Sequence, residues 1–317
     1  MLFRSGFLGR GLRGAEGAAA DAYERTFRYL ETLRRDDGGY GWAERGISHL
    51  TPTLAAIRCY ALFERAPPRK AELVAWVRRG HPREIKKLEQ ERRTFDFQQL
   101  LALWLLGASA PEIEARLRAI TRPTAYLKQY ERSGYPLLPS EAGVVMAYVR
   151  QGLSLDAIRE PFGAYFEARQ RPNGSFNNTP ATEGGDGHVG NTYWASLALL
   201  LLGRARQLQP ELAVWLRACQ LPGGGFTCAP RPEFGGVDDI AYTWYALAGL
   251  ELLEAPGPDR PEACVAQIHT LANSDGGFGD RAGWLSNAMA TWHALSALKM
   301  LEALPSLGRL VDRKSVV

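Results

Sequence analysis

Residues 223–253 read GGGFTCAPRPEFGGVDDIAYTWYALAGLELL. A Gly-Gly-Phe turn leads through a loop carrying Arg231 to the acid pair Asp238-Asp239, and then to a helix-like run with no charge before Glu251. A helix that is apolar on every face belongs in a core. Two adjacent carboxylates at its start are either stabilisers of the helix terminus or reactants.

The same layout recurs along the chain. A Thr-x-x-Ala step stands at Thr53, Thr192, Thr243 and Thr291, and 13 to 17 residues before each comes an aromatic after a glycine turn: Tyr40, Phe176, Phe226 and Phe278. The 139 residues between Thr53 and Thr192 leave room for two worn units. Gln99-Leu-Leu-Ala falls at the first expected place and the uncharged run Ala142 to Val149 at the second. Inner segments near 53, 99, 145, 192, 243 and 291 therefore define six helix-turn-helix units. Outer helices are expected at Ala22 to Arg35, Arg69 to Arg79, Leu155 to Arg169, Glu211 to Ala218 and Pro261 to Ala272, each with one apolar side. No segment shows strand periodicity.

A repeat running end to end argues for one closed domain, expected over residues 21–305, rather than the two that 317 residues would otherwise suggest. At 46% hydrophobic and 23% charged, the composition is that of a soluble globular protein. No apolar run approaches the ~18 residues of a membrane span. The formal charge of +4 is small and the basic residues are scattered or gathered in one amphipathic patch, Arg78 to Arg93, of which residues 82 to 93 read as a solvated helical face, so nucleic acid is not an expected partner. Cys59, Cys219, Cys228 and Cys264 show no metal-ligand spacing and read as reduced, buried thiols of a cytoplasmic protein. The terminal strings Leu2 to Ser5 and Asp312 to Val317 read as translated adapter DNA. Residues 1–20 are accordingly expected to be disordered or artefactual and residues 306–317 an artefactual tail; residues 6–20 have no apolar core of a signal peptide.

Alternation of outer helix, turn and inner helix makes all inner helices parallel. The expected fold is all-α, an (α/α)6 toroid whose rim gathers six positive helix ends, suited to an anionic head group. Its apolar lumen suits a long apolar tail.

The Gly-Gly-aromatic turns and aromatic inner helices resemble the β subunits of protein prenyltransferases and the squalene-hopene and other class II terpene cyclases, over about residues 22 to 303. His49-Leu-Thr-Pro-Thr-Leu-Ala-Ala resembles the prenyltransferase HLAPTYAA segment, and His188-Val-Gly-Asn-Thr-Tyr-Trp-Ala is similar to HGGYTFCG, whose histidine contacts diphosphate. Asp239 and Tyr242 fall where the prenyltransferases have a zinc-binding Asp and a diphosphate-contacting Tyr. The zinc Cys and His positions, however, are Ala241 and Ala290, and Gly236 stands where a diphosphate-contacting Lys is expected. One carboxylate does not make a zinc site that needs three protein ligands, so no metal or cofactor is expected. Against the cyclases, Gly236 to Ala241 resembles the DxDDTA motif without its first Asp, and Asp238 aligns with the Asp that protonates the substrate.

Plain alternatives accompany each assignment. Asp238 or Asp239 would serve equally as a helix cap, worth about 1 kcal/mol. Trp194, Trp244, Tyr245 and Trp292 divide between helix packing and lumen faces that stabilise a cation. His293 reads as a hydrogen-bonded core residue or a substrate contact, and His188 as a rim residue. Three functions follow: an isoprenoid cyclase with Asp238 and Asp239 as its acid machinery; a zinc-independent prenyltransferase-like protein binding a prenyl diphosphate through His188, Arg231 and Tyr242; and a non-catalytic lipid-binding or scaffold toroid. A membrane-surface association and a second subunit are compatible with all three.

Overall fold

The computed structural model describes residues 15–79, 89–124, 138–208, 210–230 and 236–304. Among them are twelve α-helices and no strand. The odd-numbered helices form the outer layer: α1 (Ala15–Thr32), α3 (Lys70–Arg79), α5 (Pro111–Arg118), α7 (Asp156–Glu167), α9 (Glu211–Ala218) and α11 (Pro261–His269). The even-numbered ones form the inner layer: α2 (Leu50–Leu62), α4 (Glu89–Leu105), α6 (Leu138–Arg150), α8 (Val189–Leu201), α10 (Ile240–Leu252) and α12 (Ala288–Met300). Each inner helix packs on the next, and α12 packs back on α2, which closes the ring. The expected (α/α)6 toroid is the fold, with all six inner segments where the repeat places them.

The repeat has a hydrogen-bonded cause. In four units the Thr hydroxyl, fully or almost fully buried, accepts the backbone N–H of the turn aromatic: Thr53 from Tyr40 (2.9 Å), Thr192 from Phe176 (3.0 Å), Thr243 from Phe226 (3.1 Å) and Thr291 from Phe278 (3.0 Å). The same aromatics give their carbonyls to the N–H of His49, His188, Asp239 and Asn287, the N-cap residues of their inner helices. One threonine thus locks each turn to its helix, because a buried N–H left unpaired is expensive.

Glycine sits where outer helices press on the turns. At Gly224, with φ at +101°, an added Cβ would lie 2.2 Å from the Ala263 backbone on α11. At Gly276, with φ at +95°, it would lie 2.6 Å from the backbone carbonyl carbon of Arg25 on α1. Each turn is therefore covered by the outer helix of the following unit, and the sixth by the outer helix of the first. The Thr26 hydroxyl completes that closure by donating to the Gly276 carbonyl at 2.7 Å.

The worn units use other devices. Gln99, at the second unit's threonine position, donates to the Val77 and Arg78 carbonyls at the end of α3 (2.5 and 2.9 Å). In the third unit Glu141 is fully buried and pairs with Arg93 at 2.9 Å, with the Thr124 hydroxyl donating to it at 2.7 Å. Arg93 is therefore buried and is not part of a solvated face, although Arg78, Arg79 and Arg92 are exposed.

Several boundaries differ from the sequence reading. Helix α1 begins at Ala15, seven residues before the expected start at Ala22. Helix α5, eight residues with four charges, is the third unit's outer helix, which six units require but which the sequence pattern does not locate. The 306–317 tail lies outside the described residues. All four cysteines are free thiols; Cys228 is half-buried in the rim loop, where its carbonyl accepts the Val189 N–H, while the other three are buried. No helix among the described residues is long and apolar enough to cross a membrane.

Candidate functional site

The rim is stitched together by the first turns of the inner helices. The Val189 N–H of α8 donates to the Cys228 carbonyl before α10, and the Ile240 N–H of α10 donates to the Asp280 carbonyl before α12. Three helix N-termini are thereby held side by side on one edge, where their partial positive charge favours anions.

Asp238 and Asp239 take different places on this rim. The Asp238 carboxylate accepts from the Gln267 side chain on the outer helix α11 at 2.6 Å and packs against Gly225 of its own turn. Asp239 is the N-cap of α10: one carboxylate oxygen accepts the Ala241 N–H at 3.0 Å and the other lies 3.4 Å from the Arg281 guanidinium. Burial pushes the Asp239 carboxyl above the usual range, and the neighbouring Asp280 adds to this; the cap hydrogen bond and Arg281 act against it.

His188 occupies the matching N-cap of α8. Its Nδ1 accepts the Gly190 N–H at 3.1 Å, which fixes the neutral ring with a proton on Nε2, and burial holds its pKa below the ordinary value. Its ring meets Tyr242, one turn into α10, edge-on at 5.4 Å. Arg231 lies outside the described residues.

Below the rim, inner-helix aromatics converge. Trp244 on α10 and Trp292 on α12 have ring centres 4.7 Å apart. Tyr193 lies 5.2 Å from Trp244, and the Trp194 Nε1–H points at the Tyr245 hydroxyl at 3.4 Å. Trp244 and Trp292 are buried, whereas Tyr193, Trp194, Tyr242 and Tyr245 keep exposed surface. His293 is buried at the centre of this cluster, 4.7 Å from Trp292 and 5.4 Å from Trp244, and its Nδ1 has no hydrogen-bond partner among the described residues. Burial drives its pKa down to about 3, with Arg58 contributing, so it is neutral.

Besides Tyr193, two cationic residues join the site that the sequence reading did not select. Arg281 comes from the loop after the sixth glycine turn, and its guanidinium lies 5.0 Å over Trp284. Arg58 comes from α2 and lies 4.3 Å over the Trp292 ring. A signal was present for Arg58: it is the single charge in the inner helix LTPTLAAIRCYAL.

A closed ring of inner helices with aromatic side chains converging inside it, and with a carboxylate and a histidine on one rim, defines an α/α toroid. The chain belongs to the prenyltransferase alpha-alpha toroid domain family, whose model matches residues 12–100 and 77–317. No curated protein matches the chain by sequence. Among solved structures it resembles a Candida albicans protein geranylgeranyltransferase-I complexed with GGPP, with a TM-score of 0.63, 13% identity, and coverage of 88% of this chain and 90% of that one. A type II terpene cyclase from Scytonema in complex with geranylgeranyl dihydroxybenzoate gives 0.58 at 14% identity, covering 93% of this chain and all of that one (100%). A glycosidase gives 0.59 at 13% identity with the same coverages, 93% and 100%. At these identities the likeness is one of fold.

The zinc of the prenyltransferase relatives does not fit these residues. Of its ligand positions only Asp239 carries a donor, and that carboxylate caps α10; Ala241 and Ala290 present methyl groups. Among the described residues no group of three or more His, Cys, Asp and Glu side chains is placed to hold a metal ion.

Proposed function

We propose that the protein takes an isoprenoid into its lumen and cyclises it by protonation, with Asp239 as the proton donor. The observation that carries this reading is the sequence of groups down one face of α10. A half-buried carboxylate with a raised pKa stands at the top, and Tyr242 and Tyr245 follow at helical spacing, next to Trp244 and Trp292. Alkene protonation requires a carboxylic acid, a form that burial of Asp239 favours, and π-faces below it stabilise the positive charge that forms. Asp238, tied to Gln267, positions the turn rather than meeting the substrate.

Mass spectrometry of products from farnesyl diphosphate, geranylgeranyl diphosphate and squalene tests this in three proteins. Asparagine is itself a good N-cap, so Asp239→Asn keeps the helix while removing the acid. The cyclised product is expected to fall at least ~100-fold in Asp239→Asn and to persist in Asp238→Asn. Undiminished product in Asp239→Asn defeats the assignment.

A second reading is favoured by the rim itself. The neutral His188 offers its Nε2–H beside the Tyr242 ring, and Arg281 adds a cation, a set suited to a prenyl diphosphate. Release of diphosphate in the same incubations, lost in His188→Ala, would transfer the reaction to the rim.

A further inference from the structure

Arg58 stands nine residues beyond the N-cap of α2, about 13 Å down the helix from the rim at 1.5 Å per residue. Helical side chains lean toward the N-terminus, which brings the guanidinium up to Trp292, five residues beyond its own cap. Arg58 has no hydrogen bond and no carboxylate partner among the described residues. Its electrostatic neighbours are Tyr193, Tyr245, Cys59 and His293, all neutral groups at pH 7. Protein surrounds it, to the extent that burial lowers its pKa, yet it keeps exposed surface. Tyr193 and Tyr245, its aromatic neighbours on α8 and α10, combine the same two properties.

A cation withdrawn from water without a counter-ion is destabilising, and a stack on one tryptophan offsets only part of that cost. The α2 sequence around it, Ala55, Ala56, Ile57, Cys59 and Tyr60, is buried and apolar, so the helix has no structural need of a charge at this level. What the position supplies is a fork of donors in an aromatic chamber.

We propose that Arg58 binds the carboxylate of the lumen's occupant, and that the natural ligand is a long-chain isoprenoid acid. The proposal rests on the isoprenoid reading above and names the substrate class. A carboxylate fits for two reasons. Its single negative charge matches the single charge of the Arg58 guanidinium, which among the described residues has no carboxylate partner. Its planar pair of oxygens also matches the guanidinium fork. The assignment removes a conflict within the cyclase reading too: an unneutralised guanidinium over Trp292 would oppose a carbocation, and the substrate's own carboxylate cancels it.

Quenching of the lumen tryptophans measures binding of geranylgeranoic acid and of geranylgeraniol, which share a chain and differ in the head group. The native protein is expected to bind the acid at least ~10-fold more tightly than the alcohol, the scale of one charge-assisted hydrogen-bonded pair. Arg58→Gln should abolish that preference and leave the alcohol's affinity within about twofold, while Arg281→Gln should keep it. Alcohol binding equal to acid binding in the native protein overturns the carboxylate assignment alone, as does a preference that survives Arg58→Gln or disappears in Arg281→Gln. Failure of both ligands to bind the native protein overturns the isoprenoid reading and the assignment with it. The apo Arg58→Gln variant is expected to melt at the same temperature as the native protein or higher. A lower melting temperature with acid binding unchanged would make Arg58 a packing residue of Trp292 and nothing more.

Discussion

At the scale of single residues, His293 makes stability depend on pH. Its folded pKa lies at about 3 and its unfolded value at 6.5. Below 6.5 the unfolded chain binds a proton that the folded chain refuses, so stability is lost progressively as pH falls from 6.5 toward 3. By pH 4 the loss amounts to about 3 kcal/mol, and His188, whose pKa is also lowered by burial, adds to it with the same sign. Urea unfolding at pH 7 and pH 4 should show that difference, and His293→Phe should shrink it; an unchanged difference in the variant would mean that His293 is not a buried neutral group. Single residues are also where the sequence was least legible. Asp239 and His188 stand out in the sequence because each opens an inner helix, which the repeat locates. The different settings of Asp238 and Asp239 do not, since only the folded rim shows Asp238 turned to Gln267 and Asp239 turned to Arg281. Arg58 escaped because its meaning depends on α12, more than 200 residues away, closing against α2.

Elements were read better, because a device repeated four times leaves a periodic trace. The Gly-aromatic turn and the buried threonine recur together, since the hydroxyl accepts the aromatic's N–H in every intact unit. Where that bond is absent the trace fades: α5, short and charged, was missed, and Arg93 looked like part of a solvated face. The third unit is held instead by the buried Arg93–Glu141 pair, 2.9 Å apart, which ties α4 to α6. Removing one partner of such a pair strands a buried charge and costs about 3–5 kcal/mol. Arg93→Met alone should therefore lower the urea midpoint steeply, and the double variant Arg93→Met with Glu141→Leu should recover much of the loss. Equal damage in the single and double variants would show that the rest of the Arg93 and Glu141 hydrogen bonds, not the unpaired charge, hold this corner.

At the scale of the molecule the question is whether six units make a ring or an open solenoid, since only a ring encloses the lumen that the function needs. The test lies at the seam. In a solenoid the last turn would be free on its outer side, and an added methyl at Gly276 would meet nothing but solvent. In the ring α1 lies on it: the Cβ would stand 2.6 Å from the Arg25 carbonyl carbon, at a φ of +95° that L-residues avoid. Backbone strain of about 1–2 kcal/mol and overpacking of about 1–3 kcal/mol together predict that Gly276→Ala destabilises by roughly 2–5 kcal/mol. Gly224→Ala, with the same positive φ and a clash against Ala263 inside the array, supplies the reference. A closed ring makes the two losses comparable, and it localises the first: hydrogen exchange should quicken in α1 and in residues 273–279, where Thr26 grips the Gly276 carbonyl. A large loss for Gly224→Ala beside none for Gly276→Ala would mean that the seam is open, and a lumen that opens along its seam cannot keep water from a cation formed inside it.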